Sequence, residues 1–306
     1  MTDWVSGCQY PLCRASTAVG GLRIRCDPCK QGLGENNRMI IKVLVENTAV
    51  SSEYGKVHGL CLYIETENHK ILFDLGPSGL FLENALKMGV KIEEVDTVVI
   101  SHGHYDHGGA LGLFLRQNSR AKVYVHRRAF DRHFSKVLCL YADIGLDDSL
   151  ASHKQVVLTD GNMELDQELM IITDVKKREF YPQSNRNLYT LEGGKKWRDD
   201  FCHEQSLLIR QGEYRILLAG CAHCGIVNIM DKICCDLGER ITHVVGGFHI
   251  MRDKSPEPVR ELARCLRGED IQYYTCHCTG RENFALMREE MKEQIEYVSA
   301  GTVLQF

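Results

Sequence analysis

Several things are scarce in this chain of 306 residues. There is no basic excess: Lys and Arg number 37 against 41 Asp and Glu, for a net charge of −4. That balance gives no footprint for nucleic acid or an anionic membrane, and neither is expected as a partner. No stretch approaches the roughly 18 apolar residues that span a bilayer. The opening MTDWVSGCQY has no basic segment leading into an apolar one, so no secretory leader is expected and the expected location is cytoplasmic. Internal repeats and low-complexity tracts are missing, and prolines number only 6, with no Pro/Gly linker after residue 38. Residues 39–306 therefore read as one catalytic domain, its oligomeric state open. The 44% hydrophobic and 25% charged content is enough for a substantial core.

Cysteine, by contrast, is abundant, with 14 in the chain. In a reducing compartment these are thiols or metal ligands rather than disulfides. Cys61, Cys139 and Cys265 sit among apolar residues and read as core, and the vicinal Cys234 and Cys235 as packing in a helix. Residues 1–38 are poor in large aliphatics and rich in Gly and Cys, an irregular extension. Its Cys8, Cys13, Cys26 and Cys29 have the spacing C-x4-C-x12-C-x2-C, and "CDPCKQG" looks like a zinc knuckle. One structural zinc on four thiolates would fold such a segment; the alternative is an extension whose cysteines bind nothing.

From Met39 the texture changes. "MIIKVLVEN" predicts a strand, "GLCLYIET" and "HKILFDLG" a hairpin, and "GLFLENALKMGV" an amphipathic helix. "VDTVVISH" is apolar on both faces, as in a covered sheet. Residues 127–200 read as an insertion, with polar turns around short strands such as "QVVLTD" and "ELMIITD". Strands and helices mix in both halves, which favours sheets packed face to face with helices outside.

Directly after the covered strand comes "SHGHYDHGG", with three histidines and an aspartate in the six positions 102–107. His102 and His104 alternate, so at a strand end they point to one face. Asp106 and His107 can fold back to the same point, with Gly103, Gly108 and Gly109 freeing the backbone around an ion. Such N/O donors suit zinc, or iron or manganese.

This H-x-H-x-D-H pattern resembles the signature of the metallo-β-lactamase fold superfamily, and "ILFDLG" resembles its strand ending in a buried aspartate, here Asp74. The resemblance runs from about residue 39 to the C-terminus. It implies an α/β fold, a four-layer αββα sandwich. Two divalent metals, zinc foremost, would lie at one edge, His102 and His104 serving one and Asp106 and His107 the other. It also implies His203 in "FCHEQSLLIR" as the third histidine of the first metal, and His249 in "VVGGFHI" as the last of the second. Where the superfamily commonly has a bridging aspartate, "LLAGCAHCG" has Cys221 with His223 two positions on, and at least one of these is expected as a ligand.

Four stretches, "HGLCLYIET", "GCAHCGIVNI", "VVGGFHI" and "CHCTGRENF", narrow the resemblance to one branch. It is named for 7,8-dihydropterin-6-methyl-4-(β-D-ribofuranosyl)aminobenzene-5′-phosphate synthase and also contains metal-dependent hydrolases. The expected function is a dinuclear hydrolase of a small phosphorylated or ester substrate, working through a metal-bound hydroxide that Asp106 orients. The alternative is a synthase gripping a diphosphate leaving group. A non-catalytic metal-binding or redox-sensing role, suggested by the cysteines, is a third. A di-iron oxygen or nitric oxide reductase is disfavoured by His104 and His107 and by the lack of a flavodoxin-like stretch. The helix start after "CHCTG" offers an anion seat at Thr279 and Gly280, with His277 supplying a proton or hydrogen bond. His58 and Tyr105 are expected on the pocket wall. The basic "VKKR" and "KKWR" favour a phosphorylated substrate if they flank its mouth. His69, His126, His133, His153 and His243 read as structural.

Overall fold

The structure is a computed structural model describing residues 39–176, 179–268 and 270–306; the proposed knuckle at Cys8, Cys13, Cys26 and Cys29 lies outside them. Strands β1 (Ile40–Val45), β2 (Cys61–Glu65) and β3 (Lys70–Phe73) form an antiparallel meander. Helix α1 (Leu80–Lys87) leads to β4 (Thr97–Ile100), and α2 (Tyr105–Gly108) with α3 (Leu111–Gln117) to β5 (Lys122–His126). Hairpin β6 (His133–Val137)–β7 (Leu140–Asp143) follows, then β8 (Val156–Thr159), β9 (Met163–Glu164) and β10 (Leu169–Ile172). Two more hairpins are β11 (Leu188–Glu192)–β12 (Lys195–Arg198) and β13 (Ser206–Gln211)–β14 (Tyr214–Ala219). The chain ends through α4 (Ile226–Asp231), β15 (His243–Gly246), α5 (Pro256–Arg267), β16 (Gln272–Thr275), α6 (Arg281–Met291), β17 (Ile295–Tyr297) and β18 (Val303–Gln305).

Two seven-stranded sheets result, ordered β18-β1-β2-β3-β4-β5-β8 and β17-β16-β15-β14-β13-β10-β9. Between them lies a dry layer that includes Ile41, Leu62, Ile71 and Phe73 from one sheet and Ile171, Leu207, Ile216 and Val245 from the other. On the outer face of the first sheet Phe81 of α1 and Phe114 of α3 are buried; on the second, Met230 of α4, Leu262 of α5 and Met287 of α6. The αββα order follows from strands such as β4, buried at all four positions, which need cover on both faces. Among the described residues no helix is long and apolar enough to cross a membrane.

The stretch 127–200 divides between layers. β8 edges the first sheet, β9 and β10 the second, and only β6, β7, β11 and β12 form a separate four-stranded sheet. Cys139 is exposed rather than core, because the pairing of Val137 with Leu140 leaves Leu138 and Cys139 as the turn of a hairpin.

One side chain stitches the sheets together beside the site. Gln205, just ahead of β13, donates from Nε2 to the carbonyls of Ile100 (2.8 Å) and Tyr124 (3.0 Å) and accepts from the Thr159 hydroxyl (2.7 Å). Gln205→Ala removes three buried hydrogen bonds between the sheets, and should cost about 2–4 kcal/mol. Urea denaturation measures this; an unchanged midpoint would show that the stitch carries no stability.

Candidate metal centre

Strands β3, β4 and β14–β16 end at one edge of the sandwich, and the residues just beyond them make the site. Asp74 follows β3, Ser101 and His102 follow β4, and Cys221 to His223 follow β14; His249 comes after β15 and His277 after β16. Asp74, Ala222, His249 and His277 hold φ angles of 61°, 51°, 49° and 49°. Left-handed backbone costs a non-glycine residue on the order of 1 kcal/mol, and such strain persists where the surroundings impose it.

The protons on four imidazoles can be traced. Ser101 donates its hydroxyl to Asp74 Oδ2 (2.8 Å), so its oxygen is left to accept from His102 Nδ1 (2.8 Å). Asn185 donates to the His223 carbonyl, which turns its Oδ1 to accept from His223 Nδ1 (2.8 Å). In the same way His107 Nδ1 is tied to Asp74 Oδ2 (2.6 Å) and His277 Nδ1 to Asn47 Oδ1 (2.9 Å). Each ring thus turns its Nε2 to the interior. His102 Nε2 lies 3.3 Å from His223 Nε2 and 3.0 Å from His104 Nδ1, and His107 Nε2 lies 3.1 Å from His277 Nε2. The lone pairs of His102 Nε2 and His223 Nε2, facing each other at 3.3 Å, repel unless positive charge sits between them. An oxygen acceptor behind each ring is the arrangement that orients histidine ligands.

Burial drives His102, His104 and His223 well below the usual histidine range, so they are neutral bases. Burial would lower His107 as well, but the carboxylates of Asp74 and Asp106 outweigh it and raise it to about 9. Burial would raise Asp106, yet His107 and His277 pull it far below the carboxylate range. The site calls for cations. A first donor group is His102, His104 and His223, whose ligand atoms lie within 4.8 Å of one another. At the second position Asp106 Oδ2 stands 3.8 Å from His107 Nε2, 3.4 Å from His277 Nε2 and 3.3 Å from His58 Nε2. Cys221 Sγ lies between the two, 3.3 Å from His107 Nε2 and grouped with His102. These nitrogens, a carboxylate and a thiol fit a pair of borderline divalent ions.

Other sequence expectations fall elsewhere. His203 is not with the first group: its Nδ1 accepts the Gly103 N–H (3.1 Å) and its Nε2 faces Asp199 (3.2 Å), leaving no lone pair for a metal. It braces the loop carrying His102 and His104, while His223 stands with those two. His277, expected to supply a proton, faces His107 and Asp106, where His249 was expected; His249 stands beside Cys221 and Cys278. A cleft of about 170 Å³ opens onto these groups, and its lining includes His58, Tyr105, Ile144, Leu188, Met251 and Arg252. Thr279 and Gly280 are not part of that wall. The Thr279 hydroxyl is buried, accepting the Phe248 N–H and bonded to Thr275. "KKWR" is β12, exposed at the outer edge of the separate sheet, with Lys196 over the rings of Phe134 and Tyr141. Arg252 is the one Lys or Arg among the described residues on the cleft wall.

Sequence reasoning missed Asn185, Asn47 and Glu204. Glu204 is buried, and its two oxygens accept the N–H groups of His223 (2.6 Å) and Cys224 (2.8 Å), clamping the turn that aims His223. The only local signal was its place next to His203 in "CHEQ".

A family model described as the metallo-beta-lactamase superfamily matches residues 54–174. "Uncharacterized protein MJ0448" of Methanocaldococcus jannaschii is 30% identical over 278 residues, covering 87% of this chain and 99% of that protein. The chain belongs to the metallo-beta-lactamase superfamily. A second relative from the same organism, a 7,8-dihydropterin-6-methyl-4-(beta-D-ribofuranosyl)-aminobenzene-5'-phosphate synthase, is 27% identical over 295 residues, 90% of this chain and 99% of its own. The crystal structure of Tm1679, described as a metal-dependent hydrolase of the beta-lactamase superfamily, superposes with a TM-score of 0.74 at 29% identity, over 87% of this chain and 98% of that one.

The contrast between two histidines is testable. His223→Ala should lower metal content measured by elemental analysis, whereas His203→Gln should keep it; the reverse result would restore His203 as the ligand. Asp74→Asn should weaken metal affinity by about 10–100-fold, the usual effect of losing a carboxylate behind a ligating histidine. Competition with a chromogenic chelator reads the change.

Proposed function

We propose that this protein is a dinuclear metal-dependent hydrolase of a small phosphorylated substrate. The observation that carries the metal dependence is the set of inward-turned Nε2 atoms on His102, His107, His223 and His277, each ring fixed by an oxygen behind it. His102, His104 and His223 would hold one ion and Asp106, His107 and His277 the other, with Cys221 between. Bound there, such ions lower the pKa of water and polarise a phosphoryl or carbonyl oxygen. The chain's own groups do the rest. Asp106, far below the carboxylate range, accepts a hydrogen bond from the attacking water and orients it. Tyr105, Ile144, Leu188 and Met251 exclude bulk water from one side of the cleft, and Arg252 at its rim pairs with an anionic group.

The metal-loaded protein should turn over p-nitrophenyl phosphate or bis-p-nitrophenyl phosphate, lose that activity to a chelator and regain it with zinc or manganese. Arg252→Ala should raise KM for the phosphorylated substrate about fivefold, the worth of an exposed ion contact near 1 kcal/mol, with little change in kcat. Turnover of lactones or nitrocefin in place of phosphate esters would overturn the substrate class. A second reading, a synthase joining a dihydropterin to an aminobenzene ribofuranosyl phosphate, is supported by the full-length similarity to the relative of that name. Formation of a joined product from a dihydropterin diphosphate and the arylamine would favour it over hydrolysis.

A further inference from the structure

β14, β15 and β16 are adjacent parallel strands, and just past their ends stand Cys221, His249 and Cys278. Cys221 follows the end of β14 by two residues, and His249 and Cys278 follow β15 and β16 by three, so the loops leaving three successive strands carry these side chains to one place. Ligand atoms of these three side chains do lie within 4.8 Å of one another. Cys278 Sγ accepts the His249 N–H at 3.1 Å, the kind of bond that steadies a metal-bound thiolate, and reaches the Cys221 carbonyl at 3.6 Å. Gly247 makes room for it, since a Cβ there would strike Cys278 Sγ. On the remaining side His249 Nδ1 is buried without a hydrogen-bond partner, and Ser184 holds the His249 carbonyl at 2.6 Å. The His249 backbone keeps its left-handed φ of 49° here. Neither His249 nor Cys278 belongs to the two donor groups described above, yet both line the same cleft.

We propose that Cys221, His249 and Cys278 form a third site, for a thiophilic divalent cation such as zinc, with Cys221 shared with the neighbouring centre. Two thiolates and an imidazole are a donor set that zinc accepts, and the fourth position opens to the cleft. No carboxylate belongs to the trio, which disfavours magnesium and calcium. Loading exchanges two thiol protons for one M²⁺ and involves no oxidation. The proposal stands beside the metal-dependent reading above and shares only Cys221 with it.

The test uses the full chain. Cobalt(II) substitution gives thiolate-to-metal charge-transfer absorption in the near ultraviolet, and elemental analysis counts zinc. Cys278→Ser should lose part of that absorption and one zinc per chain relative to the wild type. His249→Ala should weaken occupancy of the same ion by about tenfold or more, at least the effect of losing a group behind a ligand. Zinc held by Cys8, Cys13, Cys26 and Cys29 would add equally to every variant and cancel. If both variants match the wild type in ion count and absorption, the third site is overturned while the centre stands. If the wild type takes up no metal on its histidines, the functional reading falls instead; a Cys278-dependent ion in that case still supports the third site.

Discussion

A single buried carboxylate organises this site. Asp74 is fully enclosed and accepts three hydrogens, from the Ser101 N–H (2.7 Å), the Ser101 hydroxyl (2.8 Å) and His107 Nδ1 (2.6 Å). A lone charge at such depth would be costly, so it needs this full set of donors and compensating positive charge nearby. Its effect spreads outward. Because Ser101 gives its proton to Asp74, the serine oxygen must accept from His102, and so one carboxylate decides which nitrogen each of two rings turns toward the interior of the cluster. Asp74 lies behind two rings and sets the orientation of both.

Close backbone approach is the second requirement. A Cβ on Gly220 would strike the Ser101 hydroxyl, and one on Gly246, at φ 146°, would strike the Ala219 carbonyl. The ends of β4, β14 and β15 can converge only because these positions carry no side chain. The sandwich thus gains its site by bringing strand ends closer than ordinary residues permit, and the hydrogen bonds of Gln205 hold the two sheets at that separation.

The cluster from His102 to His107 was legible because its geometry is local: the alternation of a strand end and the turn after it place those side chains without reference to the rest of the chain. The αββα layering was legible from the hairpin signals and from β4, apolar on both faces. The placement of the later histidines was not, because it depends on what lies behind each ring. His203 and His223 look alike in sequence, but Asp199 and Gly103 consume both nitrogens of one while Asn185 leaves the other a free lone pair. The anion seat at residues 277–280 was misplaced for a similar reason. A hydroxyl near a helix start is visible in sequence, whereas its commitment to the Phe248 N–H, far away in the chain, is not. Strands β8 to β10 were read as part of an insertion because short segments between polar turns carry little periodicity.

Asn185, which fixes the tautomer of His223, sits between β10 and β11, in the segment whose neighbours Ser184, Asn187 and Leu188 line the cleft. The wall of the cleft and the group behind His223 are therefore one piece of chain. A molecule that settled this segment would also settle Asn185 behind its histidine, and by reciprocity an ion held on His223 would steady the surface that the molecule meets. Changes to this rim would then act on the His223 environment at the same stroke.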